Sequence, residues 1–153
     1  MAESRFVYVT YIRTTPEKLW QALTAPEFTR RYWKETRQDC AWTPGATWKV
    51  LIPDGSVIDS GEVVEIDAPR RMVLKWRHER RPALKAEGYS RLTYELEPQG
   101  ETVKLTVIHE MDVPQSQFIQ AVSGGWPLIL ASLKSLLETG ESLEATRHWE
   151  ACA

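Results

Sequence analysis

From about residue 38 to residue 111, apolar and polar side chains alternate with a period of two, and the run gives way to one long stripe with a period of three to four. Few architectures accept that order. In "RMVLKWRH", Met72, Leu74, Trp76 and His78 fall on one side and Arg71, Lys75 and Arg77 on the other, with Val73 the exception. "SRLTYELE" sets Leu92, Tyr94 and Leu96 against Arg91, Thr93 and Glu95, and "TVKLTVIHEM" continues through Val103, Leu105, Val107, His109 and Met111. Successive side chains of a strand point to opposite faces, so the pattern describes an antiparallel sheet with one buried and one wet face. Pro44-Gly45, Pro53-Asp54-Gly55, Ala68-Pro69 and Pro98-Gln99-Gly100 divide it into a meander.

The stripe after Pro114 carries Phe118, Val122, Trp126, Ile129, Leu133 and Leu136, and Gly140 suits its C-terminal cap. A helix of that length supplies the apolar surface that the sheet needs as cover. Within it, "SGGWPLILASLKSLLETG" sets two glycines and a proline together. In a helix interior they would cost ~1 kcal/mol each and ~3 kcal/mol respectively. The reading that avoids this cost makes Ser123 the N-cap, with Gly124, Gly125, Trp126 and Pro127 in the first turn, where the N–H groups are orphans anyway. Two absent Cβ atoms then leave a helix mouth open to close approach.

Upstream, "RFVYVTYI" suits a strand. In "TTPEKLWQALTAP", Thr15 serves as N-cap and Pro16 as first helical residue, with Leu19, Trp20 and Leu23 on one stripe. "APEFTRRYW" restarts a short helix at Pro26 and delivers Tyr32 and Trp33. The 153 residues read as one domain, 1–153, with an organised core over about 5–141 and a tail, 142–153, expected to be mobile except where Trp149 docks.

A formal net charge of -2 gives no general attraction to phosphate backbones, so no nucleic-acid partner is expected. The basic run "RRMVLKWRHERR", diluted by Glu79 and Glu87, reads as a solvated strand margin. No apolar run approaches the ~18 residues of a membrane span, and no leader signature opens the chain, so the expected compartment is the cytoplasm. Cys40 and Cys152 lack metal-like spacing and read as reduced thiols. Gly-x-Ser-x-Gly, phosphate-loop and His-Glu-x-x-His signatures are absent.

Seven tryptophans suit a domain in which a curved sheet and a helix leave space between them. Trp48, Trp76 and Tyr94 from the strands, with Phe118, Trp126, Ile129 and Leu133 from the last helix, are the candidate lining; the plainer reading is that they fill the core. His78 and His109 share the inner face of two strands and could meet there, hydrogen-bonding a guest or serving as general base. Glu110 points away from His109 in a regular strand, so the two form no dyad. Cys40 as nucleophile would need one of those imidazoles beside it. No catalytic residue, metal ligand or cofactor is assigned.

The order of an opening strand, "TTPEKLWQALTAPEFTRRYW", "DGSVIDSGEVVEIDAPRRMVLKW" and the terminal "GGWPLILASLKSLLETG" resembles the START-like (SRPBCC) superfamily. More narrowly, it resembles the group related to the C-terminal domain of the activator of the heat-shock-protein-90 ATPase. The resemblance covers roughly residues 5–141. It implies an α+β helix-grip fold: a curved antiparallel sheet of about seven strands round a long C-terminal helix, with two short N-terminal helices. It also implies a cavity that binds a small hydrophobic or amphipathic molecule, the wider superfamily including binders of lipids, sterols and polyketides. A cavity enzyme of cyclase, dehydratase or hydrolase type is the alternative, and a co-chaperone-like interaction protein is a third reading. Exposed strand edges make a homodimer a further expected partner.

Overall fold

Residues 2–149 are described by the computed structural model; Cys152, expected as a reduced thiol, lies outside them. Seven strands form one antiparallel sheet: β1 (Ser4–Ile12), β2 (Arg37–Cys40), β3 (Thr47–Leu51), β4 (Val57–Asp67), β5 (Arg71–His78), β6 (Ser90–Gln99) and β7 (Thr102–Met111). Their order is β1-β7-β6-β5-β4-β3-β2, so the first two strands occupy opposite edges of the sheet. Helices α1 (Pro16–Thr24) and α2 (Pro26–Tyr32) carry the chain from one edge to the other, and α4 (Gln117–Thr139) packs against β1, β7 and α2. A one-turn helix, α3 (Pro82–Lys85), joins β5 to β6 and had no signal beyond its proline.

The period-two alternation is realised most fully in β7, where Val103, Leu105, Val107, His109 and Met111 are all buried and every intervening residue is partly exposed. Val73, the exception in β5, is also buried. It stands in register with Glu65 and Thr93 on the outer face, where Arg71 forms ion pairs with Glu65 (3.1 Å) and Glu95 (2.8 Å). The caps are where local chemistry puts them: Thr15 Oγ1 accepts from the Lys18 N–H at 3.2 Å, and Gly140 ends α4 in the left-handed conformation at φ 86°.

The start of α4 departs from the expectation. Its N-cap is Ser116, whose Oγ accepts from the Ile119 N–H at 3.1 Å. The Glu87 carboxylate, brought in from the loop after α3, accepts from the N–H groups of Gln117 (2.9 Å) and Phe118 (3.1 Å) and from the Ser116 hydroxyl (2.7 Å). That group lies 29 or more residues away in sequence, so no local reading could find it. Ser123 is therefore no cap; its hydroxyl donates to the Gln120 carbonyl, and Gly124, Gly125 and Pro127 sit in the helix interior. Their unfavourable propensity, ~1 kcal/mol per glycine and ~3 kcal/mol for proline, is offset by the packing of the buried stripe.

Residues 142–149, the described part of the tail expected to be mobile, hydrogen-bond back to the core. Thr146 is fully buried and donates to Ser132 Oγ on α4 at 2.6 Å, and its carbonyl accepts from the Lys34 N–H at 2.7 Å. The Trp149 N–H donates to Glu35 at 3.1 Å. This braces a corner in which Lys34 (φ 50°) and Glu35 (φ 60°) both adopt left-handed backbone, unusual for residues with side chains.

Candidate functional site

The glycine–proline segment of α4 faces the end of the sheet where β4 and β5 meet the corner after α2, and the elements do not close over one another there. They leave a cavity of about 300 Å³. From α4 it is lined by Phe118, Ala121, Val122, Gly125, Trp126 and Ile129, a spacing of three and four that traces one helix face. The sheet contributes Asp59, Trp76 and His78; the remaining wall is Trp33 and Lys34 after α2, with Arg81 and Leu84 at α3. At Gly125 a Cβ would meet nothing within 4 Å, so the bare backbone there widens the space rather than relieving a clash. A larger surface depression of about 620 Å³ beside Arg30, Arg31 and Arg147 has no aromatic lining. Two of its guanidinium groups are already engaged, Arg31 with the Gly140 carbonyl (2.9 Å) and Arg147 with the Ser142 carbonyl (2.6 Å).

Trp76 is the hub of the aromatic wall. Its ring centroid lies 4.7 Å from Trp48, 5.8 Å from Trp33, 5.9 Å from Trp126 and 6.5 Å from Phe118, all within the range of favourable aromatic pairs. Its Nε1 is the one buried side-chain polar atom without a hydrogen-bond partner among the described residues. Opposite it in β4 stands Gly61, where a Cβ would lie 1.7 Å from the Lys75 carbonyl oxygen. Only glycine permits that approach of the two strands.

Behind the wall runs a closed polar relay. Trp126 Nε1–H donates to His109 Nδ1 at 3.1 Å, which requires the proton of a neutral ring to sit on Nε2. That N–H points at Ser90 Oγ, 2.8 Å away, and the hydroxyl donates in turn to the Trp76 carbonyl at 2.8 Å. Desolvation pushes the His109 pKa down to about 3, so the ring is neutral near pH 7. Both ring nitrogens are used within the protein. The relay thus locks two of the three cavity-lining tryptophans, Trp76 and Trp126, to each other through β6 and β7.

His78 is arranged differently. Its Nδ1 lies 3.1 Å from Oδ1 of Asp59, the residue opposite it in β4, while Nε2 has no protein hydrogen-bond partner among the described residues. Asp59 is 7% exposed. Both line the cavity, as do Lys34 and Arg81, and neither of those cations forms an ion pair among the described residues.

Of the residues singled out from sequence, Trp76, His78, Phe118, Trp126 and Ile129 line the cavity. Trp48, Tyr94, His109 and Leu133 are buried in the core around it and do not line it. His78 and His109 do not meet, each having its own partners. Tyr94 packs edge-on to Trp126 at 6.1 Å, and burial pushes its phenol up. Among the described residues Cys40 has no imidazole partner; its Sγ accepts from the Trp42 backbone N–H and burial pushes the thiol pKa up, the opposite of activation. Trp33, Lys34, Asp59, Arg81, Leu84, Ala121, Val122 and Gly125 complete the lining. Gly125 and Val122 carried a local signal, in the glycine pair and the stripe of α4, and Ala121 shares that helix face; the others reach the site through loops and strand register that tertiary structure sets.

The family model for activator of Hsp90 ATPase homolog 1-like proteins matches residues 13–138, and the chain belongs to that family. No curated protein matches the sequence. Among solved structures, a protein from Mesorhizobium loti is similar with a TM-score of 0.74 and 23% identity, over 88% of this chain and 97% of the other. The Aha1 protein from Colwellia psychrerythraea, described as a dimer, gives a TM-score of 0.73 and 19% identity over 91% and 99% of the two chains. CalU16 from Micromonospora echinospora gives 0.69 and 19% over 89% and 77%. At these identities the structural likenesses establish the fold alone. Among the described residues, no helix is long and apolar enough to cross a membrane.

Proposed function

We propose that this family member binds a small, flat, largely apolar molecule in the cavity between the β4–β5 end of the sheet and α4. The observation that carries the reading is the lining itself. Three indole rings, a phenyl ring and four aliphatic side chains surround about 300 Å³ on a helix face bared by Gly125. Ligand pockets run from ~300 to ~1,000 Å³, so this one suits a one- or two-ring guest rather than a two-chain lipid. Burying some ~200 Å² of apolar guest contributes roughly 5 kcal/mol before ordering costs, so a simple probe binds at about 0.2 mM or somewhat weaker. The test is quenching of tryptophan fluorescence by p-nitrotoluene, a flat nitroaromatic without an acidic proton. Saturable quenching near that concentration supports the reading; linear, collisional quenching alone removes it.

Self-association through the β1 edge is a second reading. Val7, Val9 and Tyr11 are 48%, 44% and 49% exposed on the outer face of an edge strand, which presents unpaired backbone as well. Light scattering coupled to size exclusion is expected to give a dimer that Val9→Lys converts to monomer. A monomeric parent at all concentrations ends this reading.

A further inference from the structure

We infer that the cavity selects guests bearing a weakly acidic hydroxyl, such as a phenol or enol, and that the Asp59–His78 pair accepts the proton. The inference rests on the binding reading above and deepens it.

The titratable groups in the lining are Lys34, Asp59, His78 and Arg81; α4 contributes aliphatic and aromatic side chains and backbone, and its one polar side-chain group, the Trp126 N–H, is turned away to His109. A carboxylate accepts hydrogen bonds, so the 3.1 Å contact sets the His78 proton on Nδ1 and leaves the Nε2 lone pair for another donor. His109 makes the contrast: both of its nitrogens are consumed within the protein. The charged neighbours of His78 along β5 and its end, Arg77 and Glu79, pair with each other at 2.6 Å. With His78 neutral, the lining therefore carries two cations against the single carboxylate of Asp59. A neutral guest leaves that excess uncompensated, whereas an anionic oxygen neutralises it.

The chemical step is a proton transfer. The guest O–H bond breaks, an N–H bond forms at His78 Nε2, and the electron pair stays on the guest oxygen. The resulting imidazolium is stabilised by Asp59 and the oxyanion by Lys34 and Arg81. No electron changes hands and no co-reactant is needed.

The experiment compares p-nitrophenol, whose anion absorbs visible light, with p-nitrotoluene, which has the same shape and no acidic proton. Bound p-nitrophenol is expected to titrate about one unit lower than free, a tenfold larger anion-to-phenol ratio at a given pH. His78→Gln should abolish the shift and weaken p-nitrophenol about tenfold more than it weakens p-nitrotoluene, with an unchanged circular-dichroism melt as the folded-state control; Asp59→Asn should diminish the shift by freeing the imidazole tautomer. If p-nitrotoluene binds but p-nitrophenol shows no shift, the inference fails and the binding reading stands. A shift that survives His78→Gln and vanishes in Lys34→Met assigns the effect to the cations and also overturns it. If neither probe binds, both readings fall.

Discussion

Gly124 and Gly125 occupy consecutive positions in the interior of a 23-residue helix, yet only Gly125 lines the cavity. At either position a Cβ would meet nothing within 4 Å, and neither glycine has the left-handed φ that would require it. Helix stability alone therefore favours alanine at both, by about 1 kcal/mol each, or roughly 2–4 °C in midpoint for a chain of this size. Gly124→Ala and Gly125→Ala should both raise the thermal midpoint. Gly125→Leu should also fold, because leucine is a good helix former and the space beside the backbone is empty. Its side chain occupies the guest's volume, so p-nitrotoluene quenching should weaken at least tenfold, about 1.4 kcal/mol, whereas Gly124→Ala should leave it unchanged. The readouts are circular-dichroism melts and fluorescence titrations on the same samples. A loss of 1 kcal/mol or more in Gly125→Ala would mean the backbone there is not interior helix. Undiminished binding in Gly125→Leu would place the guest elsewhere.

Other outcomes follow from the same geometry. Gly61→Ala should destabilise by about 3 kcal/mol or more in urea unfolding, because its Cβ would collide with the Lys75 carbonyl and force β4 from β5. Trp126→Phe leaves His109 Nδ1 buried without its donor and should cost ~1–3 kcal/mol beyond the lost ring area; Trp126→His, which can still donate, should recover part of it. His109 sets an acid limb. Its folded pKa is about 3 against an ordinary value of 6.5, so below pH 6.5 the unfolded chain takes up a proton that the folded chain refuses. Stability should fall as pH drops from 6.5 toward 3, by up to ~4 kcal/mol, and His109→Gln should flatten that limb; an unchanged slope would assign the acid sensitivity to other groups.

The sheet was legible because burial on one face of a strand writes itself at every second residue, as β7 shows without exception. The stripe of α4 and its Gly140 cap were legible for the same local reason. The start of α4 was not, because Glu87 reaches Ser116, Gln117 and Phe118 from a loop that only the folded chain brings near. In the site, periodicity identified residues on the inner face but not which of them meet empty space. Trp76 and Trp126 border the cavity while Trp48 and Tyr94, on the same inner surface, are packed behind them. The pairing of His78 with Asp59 depends on β4–β5 register, which includes a shift between Val63 and Glu65 that no alternation pattern announces. Lys34 reaches the lining from a left-handed corner held by the Thr146 carbonyl.

Seven indole N–H groups distributed through the fold make guest binding directly observable by proton–nitrogen NMR. On titration with p-nitrotoluene, the resonances of Trp33, Trp76 and Trp126 should move together with one saturation curve, those of Trp20, Trp42 and Trp149 should stay fixed, and Trp48, 4.7 Å from Trp76, should show a smaller change. Shifts scattered over all seven, or none at Trp76, would show that the space between the sheet and the last helix holds no guest.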